Sequence, residues 1–96
     1  MNYTFHPEAW GEFQDSAEYY YLRQAGLEFR FMDYVTAAID LALDAPQRFR
    51  KIEGNVRRVL TPIFPYAALY SFKEDRVFIL AIMHCARKPG YWKKRL

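Results

Sequence analysis

The sequence predicts an α+β domain in two layers: an N-terminal strand, an antiparallel helical hairpin and a three-stranded antiparallel meander. Three observations predict it. Between Glu8 and Ala45 the apolar residues recur at steps of three and four, the period of a helix. From Val56 onward the runs become short, β-branched and aromatic, the habit of strands. The chain has 96 residues, 52% of them hydrophobic and 19% aromatic, which suits one core and is too short for two. A single domain over residues 1–96 is expected.

Each element has its own signal. Asn2 to His6 alternates and stops at Pro7, as an edge strand would. Pro7 suits the first turn of a helix, and Glu8 adds a negative charge where the helix dipole favours it. Trp10, Phe13, Ala17 and Tyr20/Tyr21 then form one helical face, and Gly26 supplies the stop. Leu27, Phe31, Tyr34/Val35, Ala38, Leu41/Ala42 and Ala45 continue the period until Pro46. So short a link makes the two helices antiparallel neighbours. Tyr19, Phe29 and Met32 fall off the apolar stripe and are expected at the surface.

Gln47 to Gly54 is polar and basic, and Gly54-Asn55 is turn chemistry. Val56–Thr61, Tyr66–Phe72 and Arg76–Met83 read as strands, separated by Pro62–Pro65 and by Lys73-Glu74-Asp75. Val77 to Met83 is apolar at every position, so both faces of that strand require cover. Regular alternation would put Val77, Ile79, Ala81 and Met83 on one side and Phe78, Leu80 and Ile82 on the other. The helical hairpin covers one side. The other needs the C-terminal tail, a segment of a second protein or a second copy of the chain.

Charge divides the chain more sharply than its net +3 suggests. Residues 1–44 hold eight acids against Arg23 and Arg30, whereas residues 45–96 hold twelve Lys or Arg against three acids. Any surface for an anionic or acidic target therefore lies in the second half. Cys85 is the single cysteine, which excludes an internal disulfide and fits a reducing, cytoplasmic setting. The N-terminus shows no signal-peptide pattern and no apolar run is long enough to span a bilayer. His6 and His84 stand apart, without metal-ligand spacing, so neither a metal nor a cofactor is expected.

Three strings carry a resemblance: Val56-Arg57-Arg58-Val59-Leu60, Phe64-Pro65-Tyr66-Ala67-Ala68-Leu69-Tyr70, and Ile79-Leu80-Ala81-Ile82-Met83-His84-Cys85-Ala86-Arg87. With the basic ending Arg87-Lys88-Pro89-Gly90-Tyr91-Trp92-Lys93-Lys94-Arg95, they resemble the RelE/ParE superfamily of type II toxin–antitoxin toxins in order and spacing. The resemblance implies a growth-inhibiting toxin, a cognate antitoxin, and either of two targets. ParE-like members inhibit DNA gyrase without cleaving anything. RelE-like members are metal-independent endoribonucleases that cleave mRNA on the ribosome. An antitoxin segment is then one candidate to cover the open side of the last strand.

Cleavage by a 2′-hydroxyl needs a base, an acid and cations for the developing charge. Cleaving relatives carry two basic residues alternating on one strand, an arginine after the tyrosine that opens the next, and an arginine and a tyrosine near the end. Carried over, these positions fall on Arg58, Leu60, Ala67, Cys85 and Tyr91, so three of the cations are missing. Each lost donor costs about 3 kcal/mol of transition-state stabilisation. The candidate set for a nuclease is Arg58, His84, Arg87 and Tyr91. The candidate target-binding set is Arg57, Arg58, Arg87, Lys88, Tyr91, Trp92 and Arg95.

Several of these residues also have plainer roles. His84 at a strand end suits a structural hydrogen bond, and Cys85 a small core position. Arg57 and Arg58 are adjacent on a strand and point to opposite faces, so one is free for a target and the other pairs with the acidic hairpin. Tyr91-Trp92 serves either to staple the tail onto the sheet or to stack against a partner. Binding of gyrase leads, ribosome-dependent cleavage follows, and a degenerate protein-binding module is the third reading.

Overall fold

The computed structural model describes residues 2–96. Strand β1 (Asn2–Phe5) runs into helix α1 (Pro7–Arg23), which turns through Gln24–Gly26 into helix α2 (Leu27–Asp44). Four strands follow: β2 (Lys51–Glu53), β3 (Val56–Leu60), β4 (Tyr66–Lys73) and β5 (Arg76–His84). A 3₁₀ turn at Lys93–Arg95 lies near the end. The five strands form one sheet in the order β1-β5-β4-β3-β2.

The two helices begin and end where local chemistry dictates. His6 keeps an extended backbone at the N-cap of α1, and its Nδ1 accepts the Glu8 N–H at 3.1 Å. Gly26 lies at φ +99°, a left-handed value that lets the chain reverse between the helices at little steric cost. Glu28 reaches back to accept the Gly26 N–H at 2.6 Å. Among the described residues no helix is long and apolar enough to cross a membrane.

The sheet departs from a simple meander in two ways. β2 forms from Lys51–Glu53, a stretch whose sequence reads as a polar connection, because the Gly54-Asn55 turn folds it back along β3. β1 pairs with β5 in parallel, from Asn2↔Arg76 to Phe5↔Ile79. The helical hairpin lies between them in sequence and carries the chain back, so β1 need not be antiparallel to its neighbour.

One side of the sheet packs on the helices through Val59, Ala68, Tyr70, Val77, Ile79 and Ile82, with Phe13, Phe31, Val35 and Ala42 opposite. The helical stripes are shifted slightly from expectation. Ala9 is buried on α1, while Trp10 sits at the rim, 47% exposed, edge-on to Phe5 and Phe13. On α2, Ile39 and Ala42 are buried and Leu41 is exposed. Tyr19, Phe29 and Met32 are exposed as expected.

Strand β5 corrects the alternation. Leu69 pairs with Ala81 but Tyr70 pairs with Ile79, so Leu80 is an extra residue in β5, a bulge. Beyond it the faces swap. Leu80 and Ala81 both join the outer cluster, and Ile82 turns towards the helices.

That outer cluster has its own cover. Trp92, 3% exposed, packs with Val56, Ala67, Leu69, Leu80 and Ala81, flanked by Tyr91 and Met83. The tail is a staple: of the covers open to the outer side of β5, the C-terminal tail is the one that packs there.

Candidate functional site

Beside the staple, the tail and the outer face of the sheet enclose a groove of about 320 Å³. Arg58, Arg87 and Lys93 supply its cations, Glu53 its acid, and Ile52, Met83 and Trp92 its apolar lining; Cys85 also faces it. Arg58 reaches it because β3 puts Val56, Arg58 and Leu60 on the outer face. Arg87 reaches it because β5 ends at His84 and the chain then turns, the Arg87 N–H bonding to the His84 carbonyl at 2.9 Å. Lys93 pairs with Glu53 at 3.0 Å, tying the tail to β2.

The three positions where the resemblance would place further cations lie on or beside this face. Leu60 is exposed and opposite Ala67, Ala67 is buried opposite Met83, and Cys85 is exposed at the groove. A region that would need positive charge for phosphate chemistry is therefore apolar or neutral.

The other sequence-predicted residues divide between surface and interior. Lys88 is exposed on the tail. Arg57 points to the helix side, where its Nη1 donates to the carbonyls of Gln47 (3.1 Å) and Phe49 (2.7 Å). Its partners are backbone oxygens past the end of α2, not the carboxylates expected from the acidic hairpin. Trp92 is the buried staple, and Arg95 is held inside, its side chain 7% exposed. Arg95 offers no free surface to a target, and Trp92 only the small part that lines the groove.

Arg95 and Tyr91 converge on Glu12, a residue that no pattern in the sequence singled out. The guanidinium donates from Nη1 to Glu12 Oε1 at 2.8 Å and from Nη2 to Oε2 at 3.0 Å, a two-pronged pair. Tyr91 donates its hydroxyl to Oε2 at 2.6 Å. Arg95 Nε lies 3.3 Å from Glu8 Oε2, without the alignment of a hydrogen bond.

Glu12 and Arg95 also complete the sheet edge. β1 stops pairing at Ile79, where the His6 N–H takes the carbonyl at 2.8 Å. Just beyond, the Leu80 carbonyl accepts from Arg95 Nη1 at 2.9 Å and the Ile82 N–H donates to Glu12 Oε1 at 3.0 Å. Carboxylate and guanidinium thus satisfy backbone groups that a further strand would otherwise take. One signal was available: Glu12 sits between Ala9 and Phe13 on the buried side of α1, where a carboxylate needs a partner.

Tyr91 is tied down chemically as well. Burial first, then its hydrogen bond to Glu12, holds the phenol well above the ordinary range, so it stays protonated. The Arg87 guanidinium lies 3.8 Å from the Tyr91 ring centroid and that of Arg95 5.0 Å. Arg87 also stands 3.6 Å from Glu12 Oε2, while about half of its own side chain faces solvent.

His84 lies elsewhere. It lines a second cleft with Tyr19, Tyr20, Arg23, Pro65 and Tyr66, on the helix side, and its ring meets Tyr66 edge-on at 5.1 Å. Its Nδ1 accepts the Ala86 N–H at 3.0 Å, the structural hydrogen bond that a strand-end histidine suits.

Two helices over one face of a mixed sheet, with a tail-walled basic groove on the other, define a small α+β protein. The chain belongs to the ParE toxins of type II toxin–antitoxin systems: the family described as "ParE toxin of type II toxin-antitoxin system, parDE" matches residues 3–89. Its fold is similar to a solved chain of the "Chromosomal ParDE TA system from P. aeruginosa", with a TM-score of 0.77 and 12% sequence identity. That match covers 88% of this chain and 95% of the other. No curated protein sequence matches the chain significantly.

Proposed function

We propose that this toxin acts by binding a folded target, DNA gyrase in preference to the translating ribosome, and that it does not cleave RNA. One observation carries the reading: the residues a nuclease would use are split between two faces. Arg58 and Arg87 line the outer groove, whereas His84 lines the helix-side cleft. A general base must come within hydrogen-bond reach of the hydroxyl it activates, and cations must meet the same phosphate. Tyr91 donates its hydroxyl to Glu12 in a hydrogen bond and stays protonated, which leaves it poorly suited as an acid for a leaving group.

A groove with three cations over an apolar floor suits a protein surface that offers carboxylates around an apolar contact. Arg58, Arg87 and Lys88 are the target-binding residues in this reading. Tyr91, Trp92 and Arg95 shape the surface from beneath, and Arg57 secures the far side of β3. Neutralisation falls to a cognate antitoxin, whose disordered segment folds over exposed apolar and basic surface. Membership of the ParE family supports such a partner, as does the likeness to a solved chain from a chromosomal ParDE system.

Purified protein should inhibit gyrase supercoiling and leave mRNA intact on programmed ribosomes. Arg58→Ala/Arg87→Ala should lose supercoiling inhibition and growth arrest while folding normally. Codon-defined cleavage by the wild-type protein would overturn the proposal. An unimpaired double variant would remove the groove from it. A wild-type chain that neither arrests growth nor affects either target would leave a protein-binding module of the same fold.

A further inference from the structure

The contacts of Glu12 go beyond holding the tail in place. Its side chain is only 14% exposed, yet it comes from the acidic helical half and meets residues that border the basic groove. Oε2 takes the Tyr91 hydroxyl at 2.6 Å, and the Tyr91 ring is the surface on which the Arg87 guanidinium rests, 3.8 Å from its centroid. Arg87 itself follows the end of β5 on an exposed turn, without a hydrogen bond from its guanidinium to any described residue. A guanidinium on a flexible stem would sample many directions there. Contact with an aromatic face and a nearby carboxylate narrows them.

We propose that Glu12 is a positioning residue for the target-binding surface: it fixes the Tyr91 ring, which holds Arg87 in its place at the groove. The inference rests on the reading of that groove as the working surface. It assigns to α1 a part in target recognition, although no residue of α1 lines the groove. The carboxylate meets Arg87 only at 3.6 Å and with half of that side chain in solvent, so the ion pair alone contributes little to its placement. The effect runs through the ring.

A double-mutant cycle tests this in the full-length chain. The readout is the inducer concentration that gives half-maximal growth arrest at matched protein levels. Glu12→Gln and Tyr91→Phe should each demand about tenfold more inducer in the wild-type background. In an Arg87→Ala background the same changes should have no further effect, because the residue they act through is gone. A purely structural role would impair both backgrounds alike, and that additivity would overturn the proposal. Thermal midpoints identify any variant that has simply lost its fold; Tyr91→Phe keeps the ring and is the safeguard if Glu12→Gln unfolds. If Arg87→Ala arrests growth as well as wild type, the groove reading falls, and this inference with it. If Arg87→Ala abolishes arrest, Arg87→Lys, which keeps the charge but loses the planar stack, replaces it as the second background. Independence from Glu12→Gln is again the expected result and additivity the refuting one.

Discussion

Trp92 closes the outer face of the sheet with a single side chain. A sheet with helices on one face only must leave its other face wet or cover it. Here an indole from the tail fills the space over Val56, Ala67, Leu69, Leu80 and Ala81. Those neighbours include two alanines, whose smallness makes room for a ring. Truncating a buried Trp to Ala commonly costs about 3–5 kcal/mol, a large share of the stability of a domain this size. Trp92→Ala should therefore lower the urea midpoint severely or prevent folding. A loss below about 1 kcal/mol would mean that the tail rests on the sheet without stabilising it. Arg95 illustrates the opposite lesson: a terminal arginine that looks like part of a solvated tail is held inside by Glu12 and the Leu80 carbonyl.

Among the elements, the β4–β5 hairpin carries a visible defect. Lys73 pairs with Arg76, so Glu74 and Asp75 alone make the turn. Both have positive φ, +53° and +59°, values that the right-handed twist of a tight hairpin demands and that L side chains resist. Each non-glycine residue in that region costs roughly 1–2 kcal/mol, somewhat less for Asp. Replacing the pair by Asn-Gly should raise stability by about 1 kcal/mol, read as a higher urea midpoint at unchanged slope. No gain would show that this turn is not strained. Midway along the same strands, the bulge at Leu80 lets β5 present Ile79 and Ile82 to the helices and Leu80 and Ala81 to Trp92. Without it, regular alternation would carry Ile82 away from the helical layer.

The whole molecule is an acidic helical layer against a sheet and tail that hold most of the base. Glu12 with Arg95 is the buried seam between them, and Glu8 and Arg87 add to it nearer the surface. Three phenols distributed through the structure share one consequence. Tyr20, Tyr70 and Tyr91 are all raised above the ordinary value of 10.0. Burial is the largest cause in each; Tyr66 adds to it at Tyr20, and Glu12 at Tyr91. Between the unfolded and folded values the native state keeps protons that the unfolded chain has released, so stability falls as pH rises. The contribution is complete below about pH 10 and is lost progressively above it. The urea midpoint should thus decline from about pH 10 upward, and less steeply in Tyr91→Phe. A midpoint that stays level to about pH 11.5 would contradict the raised values.

Periodicity alone determined the two helices, their short link, and four of the five strands, because side chains facing a core must repeat at 3.6 or 2. The family was legible too, since it resides in the order of short strings such as Phe64-Pro65-Tyr66 and His84-Cys85-Ala86-Arg87. Only the tertiary structure decided what depends on neighbours remote in the chain. The parallel pairing of β1 is such a case, because alternation reads the same in either direction. So is β2, where Lys51, Ile52 and Glu53 form a strand only because β3 lies beside them. The bulge at Leu80 is another, for an all-apolar strand shows no break in pattern when one residue is inserted. The site divides in the same way. Arg58 and Arg87 were found as basic residues in a basic half, but Glu12 and Arg95 are 83 positions apart and meet only in the folded chain. A charge pattern says which residues are able to bind an anion; burial and pairing decide which are left free to do so.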